Sequence, residues 1–194
     1  MSFKKSEILT VPNILTIIRM ALIPVYWILM MVYDLNDWAL AIFVIASLTD
    51  VADGFIARKF NLITDFGKLF DPLADKLMVI SVLLSLWLRG IISGIALLLM
   101  TFKEFFMIFT SAYLYRKEIV VHSLFVGKFA QCAICLALFL SFFANSFTDM
   151  HMPPHTMLLW IGIGAAYTAL FSYTHTMIRQ LRGVETTYSN RTDK

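Results

Sequence analysis

Charged residues are scarce in this sequence: they make up only 15% of its 194 residues, whereas 59% are hydrophobic. Soluble domains carry about 25% charged residues, so the composition excludes an ordinary soluble domain and indicates an integral membrane protein. The first residues lack an apolar stretch ending in small residues, so we expect no removable signal peptide. Only two cysteines are present. Because Cys132 and Cys135 lie in an apolar run and no second pair exists, buried thiols are favoured over a zinc site.

Six hydrophobic stretches come close to the length of about 20 residues that a helix needs to cross a membrane. They cover approximately residues 13–33, 38–58, 68–88, 91–114, 123–144 and 156–178. Thr10 and Pro12 indicate the start of the first helix, with the threonine as its cap. We therefore predict an all-α integral membrane protein, a six-transmembrane-helix bundle over residues 1–182 followed by a flexible cytoplasmic tail, residues 183–194.

Lysine and arginine are distributed unevenly between the segments that connect these helices. If the N-terminus is cytoplasmic, twelve of these residues lie on the cytoplasmic side and only Arg89 lies on the other. The twelve are Lys4, Lys5, Arg58, Lys59, Lys68, Arg116, Lys117, Lys128, Arg179, Arg182, Arg191 and Lys194. Because cytoplasmic loops carry an excess of positive residues, this pattern predicts that both chain termini are cytoplasmic.

Four aspartates lie within hydrophobic sequence, where each charge costs roughly 2.5 kcal/mol or more. Asp50 and Asp53 lie on the second predicted helix, and Asp71 and Asp75 lie on the third. Spacings of three and four put each pair on one helix face, and a helical hairpin brings the two faces together. Four such charges stay ionised in a low dielectric only beside a cation. Ligands that are all oxygen select a hard ion such as Mg²⁺, Mn²⁺ or Ca²⁺.

A second interpretation of the aspartates is a set of buried salt bridges. Asp53 would then pair with Arg58, and Asp71 or Asp75 with Lys76. Few basic residues lie near enough in the sequence to compensate all four acids, which favours a metal site. Arg58 also offers a planar fork suited to phosphate.

The spacing of the aspartates and of the small residues beside them, D-x2-D-G-x2-A-R-x8-G-x3-D-x3-D, resembles the signature of the CDP-alcohol phosphatidyltransferase family. All eight signature positions match: Asp50, Asp53, Gly54, Ala57, Arg58, Gly67, Asp71 and Asp75. The likeness extends to Pro12-Asn13-Ile-Leu-Thr16-Ile-Ile-Arg19 in the first predicted helix.

The resemblance implies a metal-dependent transfer of a phosphatidyl group from CDP-diacylglycerol to an alcohol, with release of CMP. It implies that two divalent ions, Mg²⁺ or Mn²⁺, are bound by Asp50, Asp53, Asp71 and Asp75. Asp75 would also be the general base toward the acceptor hydroxyl. The residues expected to bind the nucleotide and the rest of the donor are Asn13, Thr16, Arg19, Gly54, Ala57, Arg58 and Gly67.

The same resemblance supplies expectations about partners and location. The partners are CDP-diacylglycerol, a glycerol-based alcohol and membrane lipids, and no nucleic acid is expected. Members of the family are commonly dimeric, so a homodimer is a further expectation. The resemblance is greatest to bacterial members, which implies a multi-pass protein of the bacterial cytoplasmic membrane with its active site facing the cytoplasm.

The acceptor alcohol is left open between two compounds. The chain is most similar to bacterial phosphatidylglycerophosphate synthases, which use glycerol 3-phosphate, and for this anion the cationic candidates are Lys103, Arg116 (with Lys117) and Lys128. Ser111 and Gln131 depart from those synthases, which usually have arginine and threonine there. Other stretches resemble cardiolipin synthases, which use phosphatidylglycerol.

Two further alternatives concern Lys103 and the class of protein. Lys103 and Glu104 are adjacent in the fourth predicted helix and could form an ion pair within the bundle instead of an acceptor pocket. A non-catalytic lipid-binding protein or an ion transporter with a carboxylate site is the other class of function. No inverted repeat, which would support a transporter, is apparent in the sequence.

Overall fold

Residues 10–60, 64–116 and 125–192 are described by the structure, a computed structural model. Within these ranges the chain forms six long helices and no β-strand, so the prediction of an all-helical fold is confirmed. The helices are α1 Val11–Trp27, which continues as a π-helical turn over Ile28–Val32, α2 Asn36–Lys59, α3 Asp65–Leu88, α4 Gly94–Arg116, α5 Phe125–Ser141 and α6 Pro154–Thr192. A short 3₁₀ turn, Ala144–Phe147, follows α5.

Three segments of the described chain are long and apolar enough to cross a membrane: Val11–Val32, Asn36–Ala57 and Pro154–Ile178. α5 is apolar but has only 17 residues in the described range, and the first half of α3 carries Asp71 and Asp75. The six hydrophobic stretches are therefore confirmed as helices, whereas a sixfold crossing of the membrane stays a prediction.

The ends of the helices follow local chemistry, with one difference from expectation. Thr10 precedes α1 as predicted and Pro12 lies in the first turn, but the threonine side chain makes no capping hydrogen bond. Gly90 follows α3 with a φ of 71°, a conformation that glycine adopts without strain. α6 continues to Thr192 through most of the expected flexible tail, since no proline interrupts it and an existing helix extends without a new nucleus.

The helices pack as two groups, joined mainly through α4 and also by a smaller direct contact between α3 and α5. α1 lies against α2 and α3, α5 pairs with α6, and α4 contacts both α3 and α6. The buried side chains between them are mainly aliphatic or aromatic; Tyr26 hydrogen-bonds to Ser85 across 2.6 Å, and the rings of Phe43 and Phe142 stack at 6.2 Å. On α5 Cys132 is exposed, so the prediction that both thiols are buried is wrong for this one, which faces outward from the pair with α6.

Each end of the α1–α3 group carries its own polar cluster. The start of α1, the end of α2 and the start of α3 meet at one end, where Arg19 contacts Asp53 and Asn13 contacts Thr64. At the opposite end Arg89 donates hydrogen bonds to Asn36, to Asp34 and to the carbonyl oxygen of Met30 in the π-helical turn. Arg89, which directly follows α3, thus connects all three helices.

Candidate active site

The first half of α1 presents three buried polar side chains to α2 and α3. Asn13, Thr16 and Arg19 are each at most 1% exposed, and their spacing of three residues keeps them on one helix face. Buried polar groups in a helical bundle need partners, because an unpaired one costs about 1–3 kcal/mol. The partners come from the region of the four aspartates.

Arg19 holds both acids of α2. Its Nη1 lies 3.1 Å from Asp50 Oδ1, its Nη2 contacts Asp53 Oδ2, and its Nε donates to the carbonyl oxygen of Ala46 at 3.3 Å. Asp53 is almost fully buried by this contact, whereas the Asp50 side chain remains 39% exposed. Arg19 is 1% exposed, so its guanidinium points into the bundle and does not extend to lipid headgroups.

Thr16 connects α1 to the first acid of α3. Its hydroxyl donates to Asp71 Oδ1 and lies 3.2 Å from the carbonyl oxygen of Pro12. The polar atoms of Thr16 and Arg19 thus contact the acids of the protein itself. Their contact with the lipid donor stays a prediction.

Asn13 connects α1 to the start of α3 through Thr64. Thr64 Oγ1 donates to Asn13 Oδ1 at 3.0 Å and accepts the backbone N–H of Gly67 at 3.0 Å, which caps α3. A side chain at Gly67 would have its Cβ 2.9 Å from Asn13 Oδ1 and 3.2 Å from both Asp71 Oδ2 and Thr64 Oγ1. A side chain at this position would therefore require all three groups to shift.

Thr64 was missed by the sequence analysis, although a signal for it exists. A threonine immediately before the first residue of a helix is a typical N-cap, and Thr64 immediately precedes Asp65. The capping position would have marked Thr64 as a residue whose oxygen faces the start of α3.

A second polar cluster, which includes Lys76, joins α3 to α4 beside Asp75. Glu104 accepts Lys103 Nζ on one carboxylate oxygen and lies 3.6 Å from Lys76 Nζ on the other. Its side chain is 5% exposed, so the two lysines supply its counter-charge. The ion pair of Lys103 with Glu104 is therefore present, and Lys76 pairs with Glu104 instead of with an aspartate, because it faces α4.

The four aspartates are near enough to act on one another electrostatically. The charge of Asp50 acts on Asp53, on Asp71 and on Asp75; Arg19 opposes all four acids, and Lys76 also acts on Asp75. Because Lys76 is shared with Glu104, the described side chains leave a surplus of negative charge at the aspartates. Both the surplus and the donor set, which consists of carboxylate oxygens, fit a hard divalent cation.

The contacts with α1 fix the positions of the carboxylates. In these positions the carboxylates do not surround a common metal position. Among the residues that the structure describes, no three histidine, cysteine, aspartate or glutamate side chains converge closely enough to hold a metal ion. Arg19 occupies one oxygen each of Asp50 and Asp53, and Thr16 occupies one oxygen of Asp71.

The remaining predicted residues are spread along the bundle. Gly54 and Ala57 are half-buried on α2, where Gly54 directly follows Asp53 and Ala57 lies one turn beyond it. Lys128 is exposed near the start of α5 and has no ion-pair partner among the described residues. The side chains of Arg58 and Arg116, like Lys117, lie outside the described part of the chain.

The family model described as CDP-alcohol phosphatidyltransferase matches residues 9–170. The chain belongs to the CDP-alcohol phosphatidyltransferase family. The matched region contains every contact of the α1 polar face and the Glu104 cluster, so the site described above lies wholly within the family domain.

The curated proteins that match the chain include members of two differently named groups. A CDP-diacylglycerol–glycerol-3-phosphate 3-phosphatidyltransferase from Rickettsia typhi is 47% identical over 98 residues, which are 48% of this chain and 54% of that protein. A protein of the same name from Bacillus subtilis is 43% identical over 89 residues, 39% of this chain and 46% of that protein. A candidate cardiolipin synthase from Mycobacterium tuberculosis is 40% identical over 88 residues, 45% and 42% of the two chains. The chain spans about half the length of the curated relatives it matches.

Proposed function

We propose that this membrane protein transfers the phosphatidyl group of CDP-diacylglycerol to glycerol 3-phosphate and releases CMP, which would make it a phosphatidylglycerophosphate synthase of anionic phospholipid synthesis. The observation that carries the proposal is the contact of the α1 polar face with Asp50, Asp53 and Asp71, three acids of the family signature. The names of the relatives from Rickettsia typhi and Bacillus subtilis support glycerol 3-phosphate as the acceptor.

The proposed cofactor is a pair of divalent ions, either Mg²⁺ or Mn²⁺. The proposed ligands are Asp50, Asp53, Asp71 and Asp75. The surplus of carboxylates over cations among the described side chains supports this, because divalent ions would offset that negative charge. When bound there, the ions would neutralise charge on the pyrophosphate and on the departing CMP.

The chain's own residues would bind the substrates and move one proton. Asp75 is the proposed general base, and its carboxylate would accept the proton of the acceptor hydroxyl as that oxygen attacks phosphorus. Gly54, Ala57 and Gly67 would leave room for the pyrophosphate beside the backbone, and Arg58 would bind it through its guanidinium fork.

The acceptor would be bound by cations on α4 and α5. The proposed ligands for the phosphate of glycerol 3-phosphate are Lys103, Arg116 and Lys128. Lys103 is supported by its position in the Glu104 cluster, which approaches the side of α3 that carries Asp75. Glu104 would keep the lysine oriented until a phosphate competes for it.

A cardiolipin synthase that uses phosphatidylglycerol is the second candidate. Ser111 and Gln131 occupy positions where the glycerol 3-phosphate enzymes usually have arginine and threonine, and the relative from Mycobacterium tuberculosis carries the cardiolipin synthase name. A phosphatidylglycerol headgroup needs fewer cationic ligands at these positions, because its terminal glycerol is uncharged.

In the proposed topology the bundle spans the bacterial cytoplasmic membrane six times, with both termini and the aspartates on the cytoplasmic side. The distribution of lysine and arginine supports this orientation. The acyl chains of the donor would stay in the bilayer while the nucleotide remains in water. The functional unit would be the domain of residues 1–182, as a homodimer.

The proposal is tested by CMP release from the purified protein with CDP-diacylglycerol and Mg²⁺ or Mn²⁺. Glycerol 3-phosphate and phosphatidylglycerol are offered in parallel, and Asp50→Asn serves as the inactive control. Release with glycerol 3-phosphate alone is expected. Release with phosphatidylglycerol alone would identify the second candidate. A lack of release with either acceptor would contradict both and favour a non-catalytic lipid-binding or transport role.

A further inference from the structure

Arg19 differs from the other basic residues of the described bundle in its surroundings. It is 1% exposed, it lies on α1, and both carboxylates that it contacts lie on α2. When a buried arginine pairs with two carboxylates, the guanidinium supplies the positive charge that a metal ion would otherwise supply. This inference rests on the metal site proposed above.

The same oxygen atoms would serve either cation. Arg19 takes Asp50 Oδ1 and Asp53 Oδ2, and with the guanidinium in this position no three acids of the described chain converge on a metal position. A guanidinium and a divalent ion that touch the same carboxylates also repel each other at short range. Tight binding of one therefore weakens binding of the other.

We infer that Arg19 is an internal cation that competes with the divalent metal ion for Asp50 and Asp53. Its guanidinium compensates the two acids while no metal is bound, which keeps a bundle with buried carboxylates stable. Metal binding then requires the guanidinium to give up at least one of its two carboxylate contacts. The metal affinity of the protein is lower than that of the same acids without the arginine.

The test is Mn²⁺ binding to the full chain in detergent micelles without nucleotide, with free Mn²⁺ quantified by its electron paramagnetic resonance signal. Because a contacting opposite charge changes the proton affinity of a carboxylate by about one to three pKa units, Arg19→Gln should bind Mn²⁺ roughly tenfold or more tightly than the wild type. Arg89→Gln is the matched control: it removes a paired arginine at the other end of the same helices and should leave the Mn²⁺ affinity unchanged.

Arg19→Lys keeps a positive charge, so it provides a second test if Arg19→Gln fails to fold. A lysine ammonium is a point charge that cannot span both carboxylates as the fork does, so this variant should bind Mn²⁺ more tightly than the wild type but less tightly than Arg19→Gln. Thermal unfolding gives a second measurement. Without metal the thermal unfolding midpoint of Arg19→Gln should be lower than that of the wild type. Added Mn²⁺ should raise the midpoint of Arg19→Gln by more than it raises that of the wild type.

Asp50→Asn separates failure of this inference from failure of the proposed metal site. If the wild type binds Mn²⁺ and Asp50→Asn does not, the metal site stands. Equal or weaker Mn²⁺ binding by Arg19→Gln or by Arg19→Lys would then overturn the competition and make Arg19 a residue that orients the ligands. If the wild type does not bind Mn²⁺, or binds it as Asp50→Asn does, the metal site and the inference fall together.

Discussion

Replacement of Gly67 by alanine would put a methyl group among three polar side chains of the candidate active site. The new Cβ would lie 2.9 Å from Asn13 Oδ1 and 3.2 Å from Asp71 Oδ2 and Thr64 Oγ1. An ordinary carbon–oxygen contact is about 3.4 Å, so the asparagine oxygen must move by roughly half an ångström and the other two by a few tenths. Asn13 and Thr64 fix the start of α3, and Asp71 lies one turn beyond Gly67 along this helix, so their displacement is expected to move Asp71.

The expected effect on stability is small, because two contributions oppose each other. Weakening of the hydrogen bond between Thr64 and Asn13 costs about 0.5–1.5 kcal/mol, whereas alanine in a helix gains up to about 1 kcal/mol over glycine. The effect of the substitution on metal binding is not offset by a second contribution of this kind. Loss of groups that orient metal ligands costs about 10- to 100-fold in metal affinity or activity, and we expect Gly67→Ala to lose a factor in this range.

The assay is Mn²⁺ binding without nucleotide, followed by CMP release at saturating CDP-diacylglycerol. Omission of nucleotide in the first step separates a displaced Asp71 from simple blockage of the nucleotide by the methyl group. Gly164→Ala is the matched control, because a Cβ at this position on α6 meets nothing within 4 Å. It should retain the Mn²⁺ affinity and the activity of the wild type.

Two results would refute the reasoning about Gly67. Wild-type Mn²⁺ affinity and CMP release in Gly67→Ala would mean that the contacts with Asn13 and Thr64 do not position Asp71. An equal loss in Gly164→Ala would mean that the effect is a general response to alanine in these helices. The direction also matters, because the Arg19 variants are expected to bind Mn²⁺ more tightly and Gly67→Ala more weakly.

Three further predictions concern other parts of the bundle. Asp75→Asn should abolish CMP release but leave metal-dependent nucleotide binding measurable by equilibrium titration; complete loss of that binding would make Asp75 chiefly a ligand. Lys103→Ala should raise the KM for glycerol 3-phosphate more than the KM for CDP-diacylglycerol, and an unchanged acceptor KM would leave the lysine a structural role only. Gly162→Ala should lower the thermal midpoint, because its Cβ would lie 2.8 Å from Ile134 Cγ1 where α5 and α6 pack, at a cost of about 1–3 kcal/mol; a midpoint equal to that of Gly164→Ala would contradict this.

The sequence was sufficient to predict the helices and the helix faces on which the aspartates lie, because both depend on local properties. Hydrophobic stretches of the right length mark the helices, and spacings of three and four put Asp50 with Asp53 and Asp71 with Asp75 on single faces. The same spacing rule puts Asn13 and Arg19 on one face of α1. Periodicity fixes the face of a residue but not the neighbouring helix that the face meets.

The contacts that hold the acids could not be predicted for this reason. Arg19 pairs with Asp53 although 33 residues separate them, whereas the nearby Arg58 was the partner that sequence distance suggested. Lys76 likewise meets Glu104 across the α3–α4 contact instead of an acid on its own helix. Such pairings depend on how the helices pack, and neither composition nor spacing encodes that packing.

The hydrogen bonds of Arg89 have a mechanical consequence for the aspartate end. Arg89 fastens the end of α3 to Met30 and to the turn that leads into α2, so the three helices are joined at that end. α2 and α3 have 24 residues each and are therefore about 36 Å long, at about 1.5 Å per residue. If Arg19 releases its carboxylates, the contacts of Arg89 lie several helical turns away and need not change. The exchange of one cation for another is then confined to the aspartate end, while the opposite end of the three helices stays joined.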